Sequence, residues 1–328
     1  MKRVLAVAAL GLTGLTFRKY VSARRTLAKV AVELRNPVLA VVPISFNART
    51  LPFFRAVMRF GTKAGPGVVV SERAVGAPAV RVLVMTPSEQ GGPRPAVLWI
   101  HGGGMIAGSP QFEAAGSARL ARDLNAIVVS PDYRLAPENP FPAGLDDCMA
   151  TLRWMRANAE ELGLDPDRIA VMGASAGGGL SAAVAQRSHD EGGSLRAQVL
   201  VYPMLDDRST LTTDHAERGQ IAWTPSSNRF GWTAYLGREP RMSDAPEYAA
   251  PVRRTNLAGL PPAWIGVGGL DVFCPESVEY ADNLTTSGVP CTLLTVPGMY
   301  HGADGVAPKA KSMKEFRRSM MEHLKAHL

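Results

Sequence analysis

A five-residue turn constrains this chain more than anything else in it. Gly173-Ala174-Ser175-Ala176-Gly177 stands between an apolar run at 168–172 and a small-residue stretch that starts at Gly179. The run reads as a strand and the stretch after it as a helix. A strand that turns straight into a helix needs small residues two places either side of the turning residue, and Gly173 and Gly177 meet that need. The turn lifts the Ser175 hydroxyl clear of the backbone. It is the geometry of a nucleophile elbow, at the carboxyl end of a strand in an open, mostly parallel sheet. The bare pattern is weak, since about one chain in five with this much glycine would contain it by chance. The strand before it and the helix after it give it weight. Neither a Walker-type phosphate loop nor a dinucleotide fingerprint accompanies it.

The rest of the chain keeps the same rhythm. Short apolar runs at 79–85, 95–100, 126–130, 197–202, 263–267 and 291–296 read as further strands. Residues 147–162 carry Met149, Leu152, Trp154, Met155 and Leu162 at helical spacing, which predicts a helix packed on the sheet. Strands alternating with amphipathic helices make an α/β fold, a mostly parallel central sheet flanked by helices. Two stretches break the rhythm, residues 1–60 and about 206–245. The expected organisation is an N-terminal segment over 1–60 and a main domain over 61–328. The insertion at 206–245 would lie outside the carboxyl ends of the strands, where a helical cap forms naturally.

Other residues fit the elbow. His101-Gly102-Gly103-Gly104 ends the strand 95–100. There backbone N–H groups can approach a developing oxyanion without side-chain obstruction. The N–H groups of Gly103, Gly104 and Ala176 are the candidate donors. His101 reads as a brace for this loop rather than as the base, because a base preceding Ser175 would reverse the usual order of this fold. His301, in Gly298-Met299-Tyr300-His301-Gly302, follows the last strand and is the candidate base. His189, His215, His323 and His327 lack such a setting. An acid must fix the imidazole, and Asp271, just past a strand end, fits better than Asp282 or Asp304.

Taken together, His101-Gly102-Gly103-Gly104, Asp132-Tyr133-Arg134-Leu135-Ala136-Pro137-Glu138, the Gly-x-Ser-Ala-Gly-Gly run at 173–178, Leu270-Asp271 and His301-Gly302 make a resemblance. From about residue 68 onward the chain resembles the hormone-sensitive-lipase-like esterases, bacterial esterase family IV of the α/β-hydrolase superfamily. The resemblance implies the α/β-hydrolase fold and a triad of Ser175, Asp271 and His301. It implies an oxyanion hole from Gly103, Gly104 and Ala176, and a cap built from the N-terminal helices plus the 206–245 insertion. It further implies hydrolysis of short- to medium-chain acyl esters of small molecules through an acyl-enzyme, with no cofactor and no metal. Two positions depart from it: Ala174, where Asp or Thr is common, and Ala303, where Phe is common. Two other readings share the fold. One is an amide hydrolase of arylacetamide-deacetylase or formamidase type, since the same triad serves both chemistries; the other is a non-catalytic ligand receptor.

Charge and cysteine content narrow the partners. The formal net charge is +7, but no nucleic-acid motif accompanies it, so no nucleic-acid partner is expected. Basic residues crowd the two ends, at Arg18, Lys19, Arg24 and Arg25 and at Lys309, Lys311, Lys314, Arg317 and Arg318. That pattern suits a membrane surface. The apolar run 4–17 is short for a span and is followed at once by charge, so an uncleaved helix that contributes to the cap and leans on a membrane is expected over a cleaved leader. The expected location is therefore cytoplasmic or membrane-associated, with secretion the alternative should the run 4–17 be a leader. Cys148, Cys274 and Cys291 are odd in number and widely spaced, and are expected as free thiols.

Overall fold

The computed structural model describes residues 24–41, 45–89 and 91–328. The apolar run 4–17 lies outside them. Among the described residues no helix is long and apolar enough to cross a membrane.

The strands are β1 (Val68–Val75), β2 (Val80–Pro87), β3 (Arg94–Ile100), β4 (Ile127–Pro131), β5 (Leu164–Ala174), β6 (Ala197–Val201), β7 (Ala263–Gly268) and β8 (Cys291–Val296). They form one sheet in the order β1-β2-β4-β3-β5-β6-β7-β8. The pairs β1–β2 and β2–β4 are antiparallel, and every other pair is parallel. Strands β4, β6 and β7 are buried at every position, which is why they read as unbroken apolar runs rather than alternating ones. The edge strand β1 carries Ser71, Glu72 and Arg73 and is mostly solvent-facing. Those polar residues hide it from a search for apolar runs, and they blunt an exposed sheet edge.

The principal helices are α1 (Leu51–Val57), α2 (Ala114–Leu124), α3 (Ala143–Ala157), α4 (Ala176–Asp190), α5 (Pro225–Leu236), α6 (Cys274–Thr286) and α7 (Lys311–His327). The helix predicted over 147–162 begins earlier, at Ala143, and breaks at Asn158 before a short turn, Ala159–Leu162. At the break the Asn158 backbone N–H and side-chain amide both donate to the Trp154 carbonyl, at 3.0 and 2.9 Å.

Helices cover both faces of the sheet. On one, Val82, Leu98, Ile100 and Val171 pack against Leu145, Met149 and Leu152 of α3 and Leu180 and Val184 of α4. On the other, Val97, Val128, Met172 and Val199 pack with Leu120 of α2 and Met313, Phe316 and Leu324 of α7.

The stretch ahead of the sheet docks in two places. Residues 24–36 sit against the loop that follows β8: the Ala31 N–H donates to the Gly298 carbonyl at 3.1 Å, and Val30 and Leu34 are buried. The Glu33 carboxylate accepts the Lys311 and Ser312 N–H groups at 2.8 and 3.0 Å, at the start of α7. Residues 45–58 instead lie over the carboxyl ends of the strands. There the Phe46 N–H donates to Ser227 Oγ of α5 at 3.0 Å, joining this stretch to the 206–245 segment. Cys148 and Cys274 are buried and Cys291 is half-buried, all three as free thiols.

Candidate active site

Strand β5 delivers Ser175 in a conformation few residues adopt, φ 58° and ψ −120°. That strain is held by backbone packing on all sides. The Ser175 N–H donates to the Val201 carbonyl at 2.8 Å, and its own carbonyl accepts from Gly179 and Met204 at 3.1 and 3.0 Å. A Cβ on Gly177 would stand 2.0 Å from the Ile100 carbonyl oxygen. Nothing larger than hydrogen fits between the elbow and β3.

His301 comes from the loop after β8 and Asp271 from the loop after β7. His301 Nε2 lies 3.0 Å from Ser175 Oγ, and Nδ1 lies 2.7 Å from Asp271 Oδ2. Asp271 is fully buried, and its Oδ1 accepts the Phe273 N–H at 3.0 Å. A carboxylate accepts, so Nδ1 carries the ring proton and Nε2 is left to face the serine hydroxyl. The rings of Tyr202 and Phe273 meet the imidazole edge-on, at centroid distances of 4.7 and 5.3 Å. Of the other acids weighed from sequence, Asp304 accepts the Tyr202 hydroxyl at 2.9 Å and Asp282 is exposed on α6.

Opposite His301 runs the loop from His101 to Gly104. His101 is buried and stacks on Tyr133, with ring centroids 4.2 Å apart, and the Tyr133 hydroxyl donates to the His101 carbonyl at 3.0 Å. Burial holds the His101 imidazole down to about 4, so it is neutral at working pH. Its Nδ1 lies 2.8 Å from the Gly102 carbonyl oxygen, which only accepts, so Nδ1 carries the proton. Gly103 and Gly104 have φ of 120° and 64°, and a Cβ on Gly104 would stand 2.2 Å from the Trp223 ring. Ala176 begins α4, where N–H groups of a first turn lack intrahelical partners and the helix dipole favours negative charge.

These groups open into one largely apolar cavity of about 420 Å³, lined by Gly102, Gly103, Gly104, Ser175 and His301 together with Phe46, Phe54, Val57, Met58, Tyr202 and Trp223. Ser175, Asp271, His301, Gly103, Gly104 and Ala176 thus all fall at one place, the carboxyl ends of β3, β5 and β7 and the loop after β8.

The Asp132–Glu138 run lies beneath this loop and anchors it. Arg134 grips buried Asp147 through Nε and Nη2, at 3.0 and 2.8 Å. Glu138 accepts two Arg55 N–H groups, both at 2.7 Å, and that guanidinium draws its carboxyl down to about 2. Two cavity residues had no sequence signal. Trp223 lies in a polar insertion, and Glu113 is a single acid in a loop. The Glu113 carboxylate accepts the Trp99 indole N–H at 2.7 Å and the Gly102 N–H at 3.1 Å, and burial pushes it up to about 7.

Comparison with known proteins agrees on the family. A family model described as alpha/beta hydrolase fold matches residues 97–304. The chain is 39% identical over 248 residues to the carboxylesterase NlhH of Mycobacterium tuberculosis, covering 72% of this chain and 76% of that one. It is 35% identical over 206 residues to an arylesterase of Saccharolobus solfataricus, covering 62% and 67%. Among solved structures, a bacterial heroin esterase superposes with a TM-score of 0.84 at 34% identity, covering 92% of this chain and 99% of that one. The esterase LipW from Mycobacterium marinum gives 0.82 at 30% identity, covering 92% and 96%.

Proposed function

We propose, from the premise that this chain belongs to the alpha/beta hydrolase fold family and to its hormone-sensitive-lipase-like esterases, that it hydrolyses short- to medium-chain acyl esters through Ser175, His301 and Asp271. The observation that carries this reading is the unbroken run of contacts from Asp271 Oδ2 to His301 at 2.7 Å and from His301 to Ser175 Oγ at 3.0 Å, open to an apolar cavity.

In this reading His301 Nε2 takes the Ser175 proton as Oγ attacks the ester carbonyl carbon. Asp271 holds the ring in the correct tautomer and stabilises the imidazolium. The carbonyl oxygen becomes an oxyanion received by the N–H groups of Gly103, Gly104 and Ala176. The tetrahedral centre collapses, the C–O bond to the alcohol breaks, and His301 returns its proton to the departing oxygen. Water then attacks the acyl-Ser175 by the same steps and releases the carboxylic acid. Residues 45–58 and the 206–245 insertion act as the cap, with Phe46, Phe54, Val57 and Met58 on the wall that an acyl chain would meet. The cavity's volume of about 420 Å³ supports a short or medium chain.

Ser175→Ala tests the nucleophile. The folded variant should lose turnover of p-nitrophenyl butyrate by about 10⁴- to 10⁶-fold, leaving what the oxyanion donors and binding alone provide. Near-normal turnover would remove Ser175 from the role. The same assay run against matched anilides separates ester from amide hydrolysis.

A further inference from the structure

Glu113 immediately precedes α2, at the position where a short polar side chain usually accepts from its own helix's first N–H groups. It makes no such bond. Its carboxylate instead turns back over the end of β3, with Oε2 on the Trp99 indole N–H and Oε1 on the Gly102 N–H. The placement is unfavourable for a charge, because the group is half-buried and Asp304 stands nearby.

Gly102 is where the oxyanion loop is set. A glycine constrains neither of its flanking peptide planes, so each must be fixed from outside. The plane after it is fixed by His101, whose Nδ1–H holds the Gly102 carbonyl at 2.8 Å. Because a trans peptide is planar, with C=O and N–H on opposite sides, tying that carbonyl aims the Gly103 N–H away from His101. The plane before it is held at both edges, by the Tyr133 hydroxyl on the His101 carbonyl at 3.0 Å and by Glu113 on the Gly102 N–H at 3.1 Å. We infer that Glu113 is a positioning residue for the oxyanion hole, its carboxylate holding the N–H edge of the His101–Gly102 peptide from which the Gly103 and Gly104 N–H groups are aimed. The inference rests on the proposed function, in which those N–H groups receive the oxyanion.

A group that aims oxyanion donors acts on the transition state and not on bound ester, so its loss falls on kcat. The test compares wild type, Glu113→Ala and Glu113→Gln on p-nitrophenyl butyrate, all as the full chain. Two inhibitors are measured alongside: a trifluoromethyl ketone and the matching methyl ketone. Ser175 Oγ adds to the first, its proton passing to His301 and the carbonyl oxygen becoming an oxyanion; the second binds without adding.

For Glu113→Ala, kcat should fall about tenfold to a hundredfold with KM within about twofold. Affinity for the trifluoromethyl ketone should fall by a similar factor while the methyl ketone binds as before. Glu113→Gln keeps one carbonyl acceptor and should lie between alanine and wild type. Should the alanine variant not fold, the glutamine variant is read by the same split between kcat and KM. Unchanged kcat, a rise in KM alone, or equal weakening of both ketones overturns the inference. Labelling of wild type with a fluorophosphonate keeps the two readings apart. If Ser175 is not the residue modified, the reading of the site fails; if it is and Glu113→Ala acts like wild type, only the role of Glu113 fails.

Discussion

The floor beneath Ser175 and the cover above it are built in opposite ways. The floor is backbone on backbone. A Cβ on Gly173 would stand 2.3 Å from the Gly177 carbonyl oxygen, and one on Gly179 would stand 2.0 Å from the Met204 carbonyl oxygen. The cover is side chain on side chain: Phe46 stacks on Phe54 at 4.2 Å and meets Trp223 at 5.2 Å, while Phe53 and Phe60 stay 66% and 75% exposed. Backbone contacts have no rotamers through which to relax, whereas aromatic side chains can repack. Rate should therefore be set by the floor and selectivity by the cover.

The largest effect expected is in the floor. In Gly177→Ala the added methyl would stand 2.0 Å from the Ile100 carbonyl oxygen and 2.5 Å from that of His101, so β3 and the elbow must part. Turnover should fall by more than about 10³-fold, with a loss of stability of about 3 kcal/mol or more. Gly302→Ala is the control. It adjoins His301 and has φ of 73°, yet a Cβ there meets nothing within 4 Å. Backbone strain of about 1 kcal/mol is the whole expected cost, with turnover within about threefold. Thermal melts and p-nitrophenyl butyrate kinetics on the two variants decide the matter. Similar losses from both would erase the distinction between floor and loop.

The same difference explains what could be read from sequence. The floor was legible because steric necessity leaves a local record. The partners are distant, Ile100 for Gly177 and Trp223 for Gly104, but the need for no side chain is met by glycine alone, so it shows in the short runs 173–177 and 102–104, as burial on both faces shows in the apolar runs of β3, β5 and β7. Sequence also favours Asp271 over Asp304, and Asp271 is the carboxylate found beside His301. The cover left little record. Trp223 reaches the cavity from a polar insertion, and Phe46 reaches it through a pairing with Ser227, 181 positions away. Glu113 leaves no record either: its partners Trp99 and Gly102, 14 and 11 positions before it, are brought to it by the irregular loop between β3 and α2. Strand β1 leaves no buried run to read because its residues mostly face solvent.

Glu113 lies where floor meets cavity, and its titration sharpens the comparison. Its carboxyl is raised from 4.5 to about 7, first by burial and then by Asp304, with the Gly102 and Trp99 N–H groups opposing. The folded chain therefore holds this proton more tightly than the unfolded chain. The stabilisation is fully present below about pH 4.5 and is lost as pH rises through about 7. Glu113→Gln cannot titrate, so its melting temperature relative to wild type should climb between pH 5 and pH 8. Partial exposure reduces the effect to on the order of 1 to 2 kcal/mol, a few degrees for a chain of this size. His301, Tyr202 and Asp304 face the same region, but they are common to both proteins and largely cancel in the difference. A flat difference across that range would show a carboxylate in contact with water and belonging to the cover.

The smallest effect is expected at Arg55, which ties the cover helix α1 to the body. Its Nε donates to the Ile106 carbonyl and one Nη to the Ala136 carbonyl, both at 2.7 Å, and both Nη atoms reach Glu138. None of these atoms touches Ser175 or His301. Arg55→Ala removes the anchor while Phe54, Val57 and Met58 of the cover remain, so that wall of the cavity becomes free to swing outward. Turnover of p-nitrophenyl acetate, whose acyl group never reaches the wall, should stay within about threefold. The ratio of kcat/KM for octanoate over acetate should rise about three- to tenfold, the scale of burying one or two more methylenes of the longer chain. Glu138→Gln should move the ratio the same way and less, because the two carbonyl contacts of Arg55 survive it. If acetate and octanoate lose activity together in Arg55→Ala, α1 is part of what positions Ser175 and the oxyanion loop. Rate and selectivity would then not divide between floor and cover.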